Sequence, residues 1–237
     1  MPRIKIYQPH QNEKLVLSRT QISNFKECPR CFFIKQRYGI NTPGSPPFLL
    51  NTAVDNLLKN EFETYRNKQE PHPIFIENNL NFIPKQFEDE KWRNIKYFDE
   101  KRNIEITGIL DDIWDHKDTN EIVLADYKAT STPKDINLYI GFRWQMDIYA
   151  YVLKQKGFKV HSKAYFLYAN ADRYKDKFDS RLHFNMFLKE YTINDTWIGE
   201  TLDTICSVLD APNPPKSYTE CKNCNYVNNV NDKLDKI

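Results

Sequence analysis

Residues 104–130 read IEITGILDDIWDHKDTNEIVLADYKAT. Two apolar, β-rich runs flank a polar turn at 116–120. The first run, 104–114, carries Asp111 near its end, and the second, 122–130, carries Asp126 and Lys128. Side chains alternate along a strand, so Asp126 and Lys128 are expected to share one face while Tyr127 points to the other. Pairing the runs as a hairpin brings Asp111 toward Asp126. Asp112 is then expected on the opposite side, with Ile106, Leu110 and Trp114. A surface ion pair of Lys128 with either aspartate is the plainest reading, and such pairs contribute little to stability. Two carboxylates and a lysine buried together are costly unless a cation joins them, and a divalent metal is the simplest candidate.

Gly108-x-x-Asp111, Asp126-x-Lys128 and, further on, Gln145-x-x-x-Tyr149 resemble, in that order, the PD-(D/E)XK nuclease superfamily. More narrowly they are similar to its RecB-type branch, which includes the CRISPR-associated exonucleases. Each motif alone is weak, and the order and spacing carry the resemblance. It implies an α/β fold with a restriction-endonuclease-like core over 94–191, a mixed central sheet flanked by helices. It also implies that Asp111 and Asp126 hold Mg2+ or Mn2+ with the backbone carbonyl of Tyr127. Lys128 is expected to orient or deprotonate the attacking water, or to stabilise charge in the transition state. Gln145 and Tyr149, four apart on a helix, are expected to orient the site and contact DNA. The motif spacing favours Asp111 over Asp112.

Working outward, Ser18 and Gln21 form a capping box that opens a helix, and a second short helix, 32–38, ends at Gly39. A Ser-capped helix running into Cys28-Pro29 also resembles the opening of RecB-type proteins. After a Pro/Gly loop at 41–47, Val54, Leu57, Leu58, Phe62 and Tyr65 mark a helix over 49–65. Asp55 lies beside this stripe, where the family commonly places a metal-binding histidine. It is either a third oxygen ligand or the sign of a missing one. Residues 67–92 read as a connection or variable insert, and 94–98 as a strand. A loop over 129–137 leads to a helix over 139–156 with Ile140, Trp144, Ile148, Tyr151 and Val152 on its apolar side, stopped by Gly157. Strands follow at 159–169 and 181–191. Asn194 or Asp195 caps a last helix with Ile198, Leu202, Ile205 and Leu209 as its stripe, and 225–237 reads as a frayed tail. Residues 1–237 are expected to form one domain: helices with the first cysteine pair over 18–39, the core, and a helix with the second pair over 192–224.

Cys28-x-x-Cys31 and Cys221-x-x-Cys224 stand near opposite ends of the chain. Two such pairs suit a four-thiolate metal site that joins the N- and C-terminal segments. RecB-type relatives often hold a 4Fe–4S cluster with one cysteine near the N-terminus and three near the C-terminus. The 2+2 pattern here departs from that, which leaves Zn2+ and a 4Fe–4S cluster both open.

A net charge of +2 permits nucleic acid as a partner without demanding it. No apolar run is long enough to span a membrane, so the expected location is cytoplasmic and five cysteines are read as ligands or reduced thiols. The expected activity is that of a Mg2+/Mn2+-dependent deoxyribonuclease, an exonuclease acting on single-stranded or duplex DNA ends in repair, recombination or defence. The sequence reveals no helicase or other DNA-processing partner, and any such motor is expected to be a separate chain. The rival reading is a catalytically decayed nuclease fold that binds nucleic acid or serves as a scaffold.

Overall fold

The structure, a computed structural model, describes residues 6–44, 46, 48–89, 91–132 and 137–236. In chain order the elements are β1 (Leu15–Ser18), α1 (Arg19–Glu27), α2 (Pro29–Tyr38), α3 (Leu49–Lys68), α4 (Pro73–Glu77), β2 (Phe82–Pro84), β3 (Asn94–Asp99) and β4 (Ile104–Ile109). There follow β5 (Asp112–His116), β6 (Glu121–Thr130), α5 (Ile140–Gln155), β7 (Lys163–Ala171), β8 (Phe184–Thr192), α6 (Ile198–Asp210) and α7 (Lys222–Leu234). The chain divides into two compact units. One takes in residues up to Pro46, Tyr97–Thr107 and everything from Thr196. The other takes in Pro47–Lys96 and Gly108–Asp195.

In the first unit the Ser18 hydroxyl accepts from the Gln21 N–H while the Gln21 side chain accepts from the Ser18 N–H, so the expected capping box forms. Pro29 sits in the first turn of α2, where its missing N–H costs nothing, and Gly39 closes that helix in the left-handed conformation at φ 70°. Helix α2 therefore begins three residues before the expected 32. Strand β1 runs parallel to residues 104–107 of β4. The stripe Ile198, Leu202, Ile205 and Leu209 is fully buried, as expected. Helix α6 is capped by Trp197 rather than Asn194 or Asp195. Those two are engaged elsewhere: the Asn194 N–H donates to Asp147 and Asp195 pairs with Lys154. The expected frayed tail is corrected too, because α7 covers most of it. An asparagine-rich run gives little helical signal, but the turn at Cys221 starts one, with the Asn225 N–H donating to the Cys221 carbonyl.

The second unit is built on a five-stranded sheet in the order β2-β5-β6-β7-β8. Strands β6 and β7 are parallel and the other pairs antiparallel, which makes the sheet mixed, as expected. Val123, Ala125 and Tyr127 on one face of β6 pack in an aromatic-rich core with Val54, Leu58 and Phe62 of α3, together with Phe75, Phe82 and Trp114. Helix α5 serves the other face, where Gln145 reaches Asp126. The α3 stripe is narrower than its sequence pattern, because Leu57 is 67% exposed while Arg66 is buried in its place. On α5, Ile140 is exposed and Met146, Ala150 and Leu153 join Ile148 and Val152 inside. The 67–92 connection holds α4 and β2.

The largest difference concerns the run 104–114. It is two strands, not one, because the chain leaves the ladder at Leu110 and Asp111. Arg93 holds this kink: its carbonyl accepts from the Leu110 N–H at 2.8 Å and its Nε donates to the Asp111 carbonyl at 3.3 Å. The hairpin is thus β5–β6, and β6 continues to Thr130 through part of the expected 129–137 loop. Residues 133–136 of that loop, parts of the 41–47 loop, of the 67–92 connection and of the tail, and residues 1–5 lie outside the described residues.

Candidate functional site

Asp111 stands at the kink between β4 and β5, where leaving the strand frees its side chain from the alternation that governs Asp112. Register pairs Asp112 with Ala125, which sets Asp111 against the Asp126–Tyr127 segment. Asp111 Oδ2 accepts from the Tyr127 N–H at 3.2 Å. Asp126 is 1% exposed. Its Oδ1 accepts from Gln145 Nε2 at 2.5 Å, and the Lys128 ammonium is ion-paired with its Oδ2. Two positions apart on β6, Asp126 and Lys128 meet on one face, while the Tyr127 ring enters the core on the other.

From α3, Asp55 and Lys59 face the same place one helical turn apart. Lys59 Nζ is 2.8 Å from Asp55 Oδ2 and 2.8 Å from Asp111 Oδ1. The structure therefore gathers Asp55, Asp111, Asp126 and Lys128 and adds Lys59. Lys59 gave no motif signal, although the i,i+4 pairing with Asp55 could have drawn attention to it.

Three carboxylates in so small a space repel one another. Burial pushes the Asp126 carboxyl up to about 7, with Lys128 opposing the shift and Asp111 adding to it. Burial also acts against ionisation of Asp111, but the Lys59 and Lys128 ammonium groups outweigh it and hold that carboxyl below its ordinary range. One ionised carboxylate beside one that readily accepts a proton, with a third within reach, is a donor set of hard oxygens that fits a divalent cation.

Gln145 and Tyr149 are both buried, so the pair supports the site from within. Gln145 holds Asp126, and the Tyr149 hydroxyl donates to the Ile109 carbonyl at 2.6 Å. The same packing accounts for Gly108. A Cβ there would lie 2.6 Å from Tyr149 Cε1, so only glycine lets the ring lie against the strand.

Asp112 has a different role. It is fully buried, ion-paired with Arg66, and accepts from Trp114 Nε1 at 3.0 Å and from the Tyr127 hydroxyl at 2.5 Å. Arg66, like Arg93, was not singled out by any sequence pattern.

In the first unit Cys28, Cys31, Cys221 and Cys224 converge, with all four sulfurs within 4.8 Å of one another. Cys31 Sγ is 3.5 Å from Cys221 Sγ and from Cys224 Sγ, and Cys28 Sγ is 3.9 Å from Cys224 Sγ. These are contacts between free thiols, and the quartet is positioned to chelate a metal. Cys206 lies apart from it, on α6. Among the described residues no helix is long and apolar enough to cross a membrane.

The model of the PD-(D/E)XK nuclease superfamily matches residues 49–228. No curated protein matches the chain.

Proposed function

The chain belongs to the PD-(D/E)XK nuclease superfamily, and we propose that it is a metal-dependent deoxyribonuclease of the RecB type, an exonuclease acting on single-stranded or duplex ends in repair, recombination or defence. The observation that carries this reading is the contact of Asp111, Asp126 and Lys128 at one end of the β5–β6 hairpin, with Asp126 fixed from behind by Gln145. Asp55, Asp111, Asp126 and the Tyr127 carbonyl are the proposed ligands of Mg2+ or Mn2+. A bound divalent ion would acidify the attacking water and offset charge on the phosphate. Lys128, an ammonium already placed against Asp126, donates hydrogen bonds to the water or to a phosphate oxygen. Gln145 keeps the Asp126 carboxylate in one orientation, and Tyr149 pins the end of β4 beside it.

The thiol quartet favours Zn2+ over a 4Fe–4S cluster. Four sulfurs at about 2.3 Å from one tetrahedral ion lie about 3.8 Å from each other. In a cubane each thiolate binds its own iron at a corner, and the sulfurs stand roughly 6 Å apart. Three of the six separations, at 3.5–3.9 Å, match the single ion, and even the widest, within 4.8 Å, falls short of the cluster. Free thiols holding a metal also suit a reducing compartment, the cytoplasm.

The test is degradation of end-labelled single- and double-stranded DNA with Mn2+ or Mg2+, comparing the wild type with Asp126→Ala. Metal-dependent loss of label that disappears in the variant supports the nuclease. DNA binding without cleavage, with the zinc site intact, transfers the reading to a nucleic-acid-binding scaffold that has lost catalysis.

A further inference from the structure

Lys59 bridges two of the carboxylates proposed as ligands. Its Nζ lies 2.8 Å from Asp55 Oδ2 and 2.8 Å from Asp111 Oδ1, and all three side chains are between about a fifth and a third exposed. Asp55 and Lys59 alone form an ordinary i,i+4 helix pair, worth a few tenths of a kcal/mol. Asp111 comes from a different segment, and its engagement makes the ammonium a bridge between α3 and the kink before β5. Lys128 makes a similar pairing with Asp126. With all three carboxylates ionised, which for Asp126 means above about pH 7, they and the two ammonium groups sum to a net −1. A divalent ion brings the same groups to +1, the sign that receives a phosphodiester.

Resting on the metal site proposed above, we infer that Lys59 is the internal counter-ion of that site, displaced when a divalent cation binds and then presented to a phosphate oxygen of the DNA. Asp55 Oδ2 and Asp111 Oδ1 face an ammonium now, and they cannot face it and a metal at the same distance together. A lysine suits such an exchange because its charge is compact and its four-carbon stem is flexible, so it can leave the carboxylates without disturbing α3. Lys59 thus keeps Asp55 and Asp111 from repelling each other before loading and supplies positive charge next to the substrate afterwards.

The experiment is a calorimetric titration of the zinc-loaded full chain with Mn2+ and no DNA, for wild type, Lys59→Met and Asp111→Asn, followed by cleavage kinetics at saturating Mn2+. Lys59→Met is expected to bind Mn2+ about tenfold more tightly, since no ammonium has to be displaced, yet to cleave with kcat/KM lowered by about tenfold or more. Tighter metal and slower cleavage run in opposite directions, a combination that a purely structural lysine does not produce. Unchanged or weaker Mn2+ binding in Lys59→Met overturns the exchange. Tighter binding with unchanged cleavage overturns the phosphate role. A wild type that takes up no Mn2+, or an Asp111→Asn variant that binds it as well as wild type, sinks the metal site itself and is thereby told apart from failure of the Lys59 inference. If Lys59→Met does not fold, Lys59→Gln carries the same comparison with a shorter neutral side chain.

Discussion

The Tyr127 hydroxyl donates to the Asp112 carboxylate at 2.5 Å. That bond ties β6 to β5 on the face of the sheet away from Asp126, and Arg66 and Trp114 complete the environment of the same carboxylate. Adjacent aspartates therefore differ in kind: Asp112 holds the two strands together from the core side, and Asp111 is left at the kink with the charged groups.

The difference can be read from two variants. Asp112→Ala leaves the buried Arg66 guanidinium with only the exposed Glu63 carboxylate as its ion-pair partner and is expected to cost about 3 kcal/mol, measured by urea denaturation. Asp111→Ala is expected to cost little stability and to abolish metal-dependent cleavage. A reversed pattern would exchange the roles of the two residues.

Asp126→Asn keeps shape and an acceptor for Gln145 while removing the carboxylate charge proposed to bind the metal. Thermal stability without divalent metal is expected to change by less than about 1 kcal/mol, because a buried carboxylate that opposes its own ionisation is lost. Cleavage of end-labelled DNA is expected to fall by at least about a hundredfold.

The raised Asp126 carboxyl sets a pH dependence. Between the ordinary carboxylate range and about 7 the folded site holds a proton that the unfolded chain has released. The contribution of this group to stability therefore falls as the pH rises through that window. A divalent ion competes with the same proton, so Mn2+ affinity is expected to weaken by up to about tenfold per pH unit below 7. Calorimetric titrations at pH 6 and pH 8 check it, and equal affinities would remove Asp126 from the ligand set.

Gly108→Ala puts a methyl group into the Tyr149 ring. Because Tyr149 is held at the Ile109 carbonyl, the ring cannot retreat without losing that bond, and a cost of about 1–3 kcal/mol is expected. Gly108→Ala combined with Tyr149→Phe, measured against the single variants, should show non-additive melting temperatures.

A metal held by the thiol quartet would pin α7 to the rest of the first unit, and its removal is expected to loosen that attachment. The purified protein should contain about one zinc per chain and show no iron–sulfur absorbance. Cys221→Ser or a strong chelator should lower the melting temperature and expose the 222–234 segment to protease. Iron with acid-labile sulfide in an anaerobic preparation would instead establish the cluster.

Several features were legible in the sequence because their physics is local. The capping box at Ser18 and Gln21, the left-handed stops at Gly39 and Gly157, and the α6 stripe each depend on residues within a few positions of one another. Asp126-x-Lys128 was legible for the same reason: two residues apart on any strand share a face. Two Cys-x-x-Cys pairs announced a four-thiol cluster able to chelate a metal, since each pair supplies half of one wherever the chain leads it.

Other features depend on residues far apart in the chain, and only the tertiary structure decided them. The run 104–114 looks continuous in its apolar pattern, and Arg93, eleven or more residues upstream, is what breaks it at Leu110 and Asp111. Asp111 and Asp112 look alike in sequence, and Arg66 on α3 separates them by burying its charge against one. Lys59 is an unremarked helical lysine until α3 docks on β6 and the kink brings Asp111 within 2.8 Å. The spacing of the four sulfurs, on which the choice between one ion and a cluster turns, exists only once both ends of the chain are folded together. Local pattern fixes which residue types are at hand, and packing between distant segments fixes which charges meet.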